Sequence, residues 1–238
     1  MLNRTDYHGP KFSLGESVIG KKVQWARYNN RHELIYKKKG LKNRHRFWWQ
    51  NRINYNGLDP RGWERKDQTE YALESLLPLK NNLQLMIEGD LHHSKVSSEF
   101  NRITNRSLNG FNSGLGIKGQ NAKSFQWDSR FIYYRDRTVI NQDKQEFVDA
   151  YGLKINWIHF IGKDGRLEGN MEYYIANGFP EMPPEALNGI ADKRTLRANI
   201  MVSTFLGRTL SVNATLLYVD DIRYNNFIKL RGELRAHF

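Results

Sequence analysis

From residue 44 to the C-terminus, apolar and polar positions alternate with a period of two, the pattern of strands that bury one face and wet the other. FIKLRGELRAHF is the clearest case. Ile228, Leu230, Gly232, Leu234, Ala236 and Phe238 fall on one side, and Lys229, Arg231, Glu233, Arg235 and His237 on the other. The alternation predicts ten strands, over 44–56, 68–78, 82–93, 107–118, 123–135, 148–161, 166–176, 194–205, 208–220 and 226–238. Nearly all are longer than the five or six residues, roughly, of an average strand. One face carries Phe47, Trp49, Ile53 and Tyr55, then Leu83, Leu85, Ile87 and Leu91, then Phe125, Trp127, Phe131 and Tyr133. Leu153, Ile155 and Trp157, then Leu196, Ala198, Ile200 and Val202, then Leu210, Val212, Ala214, Leu216 and Tyr218 continue it. The other face holds Arg46, Arg52, Glu70, Glu74, Glu88, Asp90, Asp128, Arg130, Lys154, Arg166, Glu168, Glu172 and Arg197. Charges of both signs fit a wet, mutually neutralising interior and not the dry core of a sandwich.

The connections alternate in length. LGR (206–208), GKDG (162–165), GQNAK (119–123) and LKNN (79–82) are tight; 177–193, 136–147, 94–106 and 57–67 are long. Short turns on one side and long loops on the other are the asymmetry of a transmembrane barrel, and ten strands give the even count that closure needs. Aromatic placement agrees with that orientation, because Trp and Tyr collect at membrane interfaces. Tyr55, Tyr71, Tyr133, Tyr151, Tyr173 and Tyr218 fall toward the loop ends of their strands; Phe47, Trp49, Phe125, Trp127, Trp157 and Phe238 fall toward the turn ends. All six prolines lie outside or at the limits of the strands, as ladder hydrogen bonding requires. The expected fold is therefore all-β, an antiparallel up-and-down transmembrane β-barrel of about ten strands over 44–238, either whole in itself or one part of a larger barrel, in a bacterial outer membrane.

Composition narrows the picture further. No run of 18 apolar residues exists, which excludes a helical membrane span, while the mean hydropathy of −0.72 is compatible with a barrel because only alternate residues meet lipid. Cysteine is absent, so disulfides, thiolate metal sites and cysteine nucleophiles are excluded. The net charge of +12 is uneven: residues 1–66 hold 16 Lys and Arg against 5 Asp and Glu, and the other 172 hold 21 against 20. Residues 1–43 form a basic segment read as a periplasmic stretch or as truncated preceding strands, KVQWARY and HELIYKKK being candidates for the latter. The polar start MLNRTDYHGPKFSLG offers no export signal, so the expectation is either a soluble chain or a fragment of a longer one.

The PPEALNG stretch (Pro183 to Gly189), the turn FLGRTLSVNATL and the close IKLRGELRAHF resemble the C-terminal region of large outer-membrane barrel proteins of the Bacteroidetes and Chlorobi type. The terminal aromatic, with Leu230, Leu234 and Ala236 at alternate positions before Phe238, resembles the signal read by the barrel-assembly machinery. The resemblance implies envelope location and a longer precursor, with outer-membrane lipid, lipopolysaccharide and that machinery as partners; it implies no activity.

Candidate chemistry is sparse. His92 and His93, with Ser94, Ser97, Ser98 and Ser107 nearby and Asp90 below, have the residue types of a barrel lipid hydrolase, but polar loops commonly contain them and a triad needs geometry. Asp220 and Asp221 with Asn225 and Asn226 could hold a divalent cation, though an Asx-type turn explains them as well. The basic, aromatic stretches KKVQWARYNNR and IYKKKGLKNRHRFWWQNR suit a single-stranded nucleic-acid platform, yet residues 47–55 obey the barrel's aromatic sorting. The chain is accordingly read as a structural or transport barrel with no enzyme site, no cofactor, no metal and no nucleic-acid partner. A soluble β-sheet module that binds nucleic acid or a small ligand, and a lipid hydrolase, are the alternatives.

Overall fold

The computed structural model describes residues 2–8, 25–37, 43–56, 63–80, 82–98, 105–121, 124–140, 144–178, 186–190, 193–206, 210–221 and 226–236. Twelve antiparallel strands form one sheet in strict chain order. They are β1 (Leu2–His8), β2 (Trp25–Tyr36), β3 (Arg44–Asn56), β4 (Glu64–Pro78), β5 (Leu83–Ser98) and β6 (Arg106–Asn121), then β7 (Phe125–Ile140), β8 (Lys144–Ile161), β9 (Gly165–Asn177), β10 (Lys193–Leu206), β11 (Leu210–Asp221) and β12 (Phe227–Ala236). All ten expected strands are present, β3 with the expected limits. Two more lie within residues 1–43, and β2 pairs with β3 along its whole length, so the sheet crosses residue 43 without a break. Among the described residues no ladder joins β12 to β1, and both are edges of the described sheet.

Two of the expected long loops are corrected. β7 and β8 extend through most of 136–147, with Arg137 opposite Phe147 and Ile140 opposite Lys144, and β5 runs on to Ser98. The polar sequence here is strand all the same. Pairing needs no apolar side chains, and the protruding hairpin is held by Thr138 Oγ1 donating to Glu146 O at 3.3 Å and by Arg135 and Arg137 over the Phe147 ring. The tight connections stay tight, with Gly162 at φ 64° and Asn82 at φ 61° in two of them.

Parity divides the sheet as the alternation predicts. Leu91, Leu115, Phe131, Leu153 and Leu216 stand exposed on one face, a face that only lipid could cover. The opposite face carries ion pairs: Arg46 with Glu33 at 2.5 Å, Lys154 with Glu172 at 2.5 Å, and Arg130 with both Glu88 (2.9 Å) and Asp128 (3.0 Å). The expectation of a uniformly wet interior is corrected at its loop end. There Leu108, Ile132, Tyr134, Val148, Ala150, Tyr174 and Ala176 form a buried apolar cluster with Ala186, Leu187 and Ile190. These strand residues occupy the otherwise polar parity, and a segment of the β9–β10 connection covers them.

Candidate functional site

The β9–β10 connection folds inward. Its turn Ala186–Gly189 places Leu187 and Asn188 at left-handed φ of 51° and 53°, and Ile190 N donates to Leu187 O at 3.1 Å. Leu187 and Ile190 are almost wholly buried. Reading 177–193 as an outside loop missed this. The available signal was an unusually apolar connection, with Phe179 and Met182 as well as Ala186, Leu187 and Ile190, together with apolar residues on the inward parity of the neighbouring strands. The turn is anchored by two polar contacts: Leu187 N donates to Asp136 Oδ2 at 2.6 Å, and Arg197 Nη2 donates to Gly189 O at 2.6 Å.

Asp136 is the centre of this arrangement. It is fully buried, and its second oxygen accepts from His92 Nε2 at 2.9 Å, while His92 Nδ1 donates to Asp90 Oδ1 at 2.8 Å. Asn112 donates to the other Asp90 oxygen. His92 lies on β5 and Asp136 on β7, with β6 between them, and the residue in register with both is Gly110. A Cβ there would lie 1.7 Å from Asp136 Oδ1, so only glycine lets the two side chains meet. The same device recurs lower on β6. Glu88 of β5 reaches Arg130 of β7 past Gly114 and Gly116, where a Cβ would crowd the Glu88 and Arg130 side chains respectively.

The hydrolase arrangement is not what these residues form. Both His92 ring nitrogens are taken by carboxylates, and His93 points to the other face, where its Nδ1 lies 2.7 Å from Asn109 Oδ1. Ser94 is buried and its Oγ has no partner among the described residues. Asp220 and Asp221 end β11 as strand residues and not as a turn; Asp220 pairs with Arg194 at 2.9 Å. No group of three or more metal-ligating side chains occurs among the described residues. Asn225 lies outside them.

Many of the aromatic residues lie on the outer, apolar face, in two bands. Phe111, Tyr133, Tyr151 and Tyr173 cross β6 to β9, with Tyr133 opposite Tyr151, Phe111 and Tyr133 rings 5.9 Å apart, and Tyr133 OH donating to Asp149 at 2.8 Å. They sit at mid-strand and not at strand ends, because β7 and β8 continue beyond them. Tyr55 and Tyr218 lie near the loop ends of β3 and β11. Toward the turns, Trp127 faces Trp157 in register, flanked by Gly119 and Gly169, and a Cβ at either glycine would strike an indole ring. Phe125 sits beside His159, and Phe47 is exposed on β3. Trp49 and Tyr71, expected at opposite ends, are register partners with rings 6.4 Å apart. Trp48, absent from the expected set, is the inward member of its pair and donates from Nε1 to Glu70 at 2.9 Å. Leu230, Leu234 and Ala236 are exposed on β12; Phe238 lies outside the described residues.

No protein-family model and no curated protein matches the chain. Among solved structures it is similar to CdiB from Acinetobacter baumannii, at 11% identity and a TM-score of 0.64, over 91% of this chain and 45% of that one. It is also similar to the copper transporter OprC, at 10% identity and a TM-score of 0.55, over 90% of this chain and 43% of that one. The translocator domain of autotransporter NalP from Neisseria meningitidis aligns over 99% of this chain and 86% of that chain, at 10% identity and a TM-score of 0.49. The chain thus spans less than half the length of CdiB and of OprC. Its fold is that of the outer-membrane β-barrels: all-β, antiparallel and up-and-down.

Proposed function

We propose that the chain is a membrane-embedded barrel of the bacterial outer membrane with a structural or transport role, in which the inward turn at 186–190 narrows the lumen. The observation that carries this reading is the division of the sheet by parity. One face exposes Leu91, Leu115 and Phe131 at 62%, 56% and 53%, and the opposite face of the same strands holds paired ions. In water the first face would be a large exposed apolar surface; in lipid it is the expected outer wall. That face meets outer-membrane lipid and lipopolysaccharide, and Leu230, Leu234, Ala236 and Phe238 form the signal offered to the assembly machinery.

An uncovered strand edge is costly in lipid, where each unpaired backbone group loses on the order of several kcal/mol. The edges β1 and β12 therefore need partners in the membrane. Each can supply the other when the twelve strands close, or further strands can supply them in a wider barrel, as the resemblance to large barrel proteins implies. The test is reconstitution: refolded with lipid, the chain should show β-type circular dichroism, migrate differently on gels before and after boiling, and enter liposomes. A folded, monodisperse monomer in plain buffer would overturn the reading.

A further inference from the structure

Between the inward turn and the sheet lies a cavity of about 170 Å³ with Asn188 on one side and side chains of β3 to β6 on the other. A molecule of liquid water takes about 30 Å³, so the space suits a few waters or one small ring. Its chemistry is specific. The charged groups around it already have partners: His92 lies between Asp90 and Asp136, and Glu70 accepts from Trp48 Nε1 and faces Arg52 at 4.0 Å. Arg52 also donates to Gln50 Oε1 at 2.7 Å. The three carboxylates outnumber the two cations, which repels an anion, and the carboxylate oxygens are already taken by His92, Asn112, Leu187 N, Trp48 and Arg52, which leaves none free to receive a cation.

What remains on offer is neutral hydrogen-bonding capacity. Ser94, 7% exposed, lines the cavity with an Oγ that finds no partner among the described residues. A buried hydroxyl without a partner is costly unless a ligand or water completes it. Gln68 and Asn188 add amides with both donor and acceptor atoms, and Leu108 adds an apolar patch of wall. Interspersed donors and acceptors beside one apolar patch match a sugar ring, which has hydroxyls at its rim and C–H groups on its faces. Resting on the transport reading above, we propose that this cavity is a subsite for a small, neutral, polyhydroxylated solute the size of one monosaccharide.

The test uses the full chain refolded in detergent micelles, with D-glucose, sodium phosphate and choline chloride as probes in titration calorimetry. Saturable binding of glucose is expected, with affinity falling about tenfold in Ser94→Ala and in Gln68→Ala, the loss of one hydrogen bond each. Ser94→Ala removes an unpartnered group, so its boiling-dependent gel shift should match that of the unaltered chain. A folded, lipid-inserting protein that binds no glucose overturns the subsite and leaves the barrel reading standing. Binding of phosphate or choline in place of glucose, unchanged by Ser94→Ala, also overturns it. Failure of the unaltered chain to enter lipid overturns the barrel reading, and the subsite with it.

Discussion

His92 and Asp136 hydrogen-bond at 2.9 Å over the bare backbone of Gly110, a residue of the strand that separates them. A Cβ at Gly110 cannot share that space, so Gly110→Val should separate the pair and leave Asp136 buried without it. Losing one partner of a buried pair costs about 3 to 5 kcal/mol. Gly232→Ala, with nothing within 4 Å of the new atom, should change stability by about 1 kcal/mol or less. Urea unfolding of the two variants in lipid or detergent checks the contrast.

Asp136 also holds the inward turn through Leu187 N. Asp136→Ala removes that contact and leaves Arg197 as the turn's remaining polar anchor, and the turn should leave the lumen. External protease would then cut near 186–190 in otherwise folded protein, and bilayer conductance would rise. Asp136→Asn retains an acceptor for Leu187 N and should leave the turn largely in place. Equal protease sensitivity in the two variants would show that the turn is held by its apolar contacts alone.

Trp48 and the pair Trp127 and Trp157 should report opposite surroundings. In variants keeping one tryptophan each, brominated lipid should quench Trp127 and Trp157 strongly and leave Trp48, hydrogen-bonded to Glu70 on the inner face, nearly unaffected. Quenching of all three alike would contradict the assignment of faces.

A charge on the outer face should cost most at mid-height. Leu115 sits near the middle of β6, so Leu115→Arg should make insertion less favourable by about 2 to 4 kcal/mol, and Leu234→Arg, nearer the turn side, by less. Insertion yield into liposomes measures both. Arg235→Leu, on the opposite parity and paired with Glu233, should have little effect on the same yield.

Parity was legible because lipid and lumen impose it at every second residue: Phe47 and Trp49, or Leu153 and Ile155, could hardly read otherwise. Strand limits were legible only where strand and lipid end together, as in β3. From Arg135 to Thr138 and from Lys144 to Glu146 the chain is mostly polar and still paired, and alternation alone cannot tell that from a loop. The latch was hidden for another reason. His92, Gly110, Asp136 and Leu187 are far apart in sequence, and nothing local marks them as neighbours until register brings β5, β6 and β7 side by side. Gly110, Gly114 and Gly116 at even spacing were the local trace of it.

The inward turn also bears on the order in which the molecule is assembled. Most strand pairs close over short connections, whereas Asp136 meets His92 from 44 residues away and Leu187 from 51, and closing longer loops costs more entropy. The plug therefore docks after the strands that receive it. It docks only if they are aligned, because a slip of one residue would turn Asp136 toward lipid and His92 away from it. The contact is therefore a test of register that only correctly aligned strands pass.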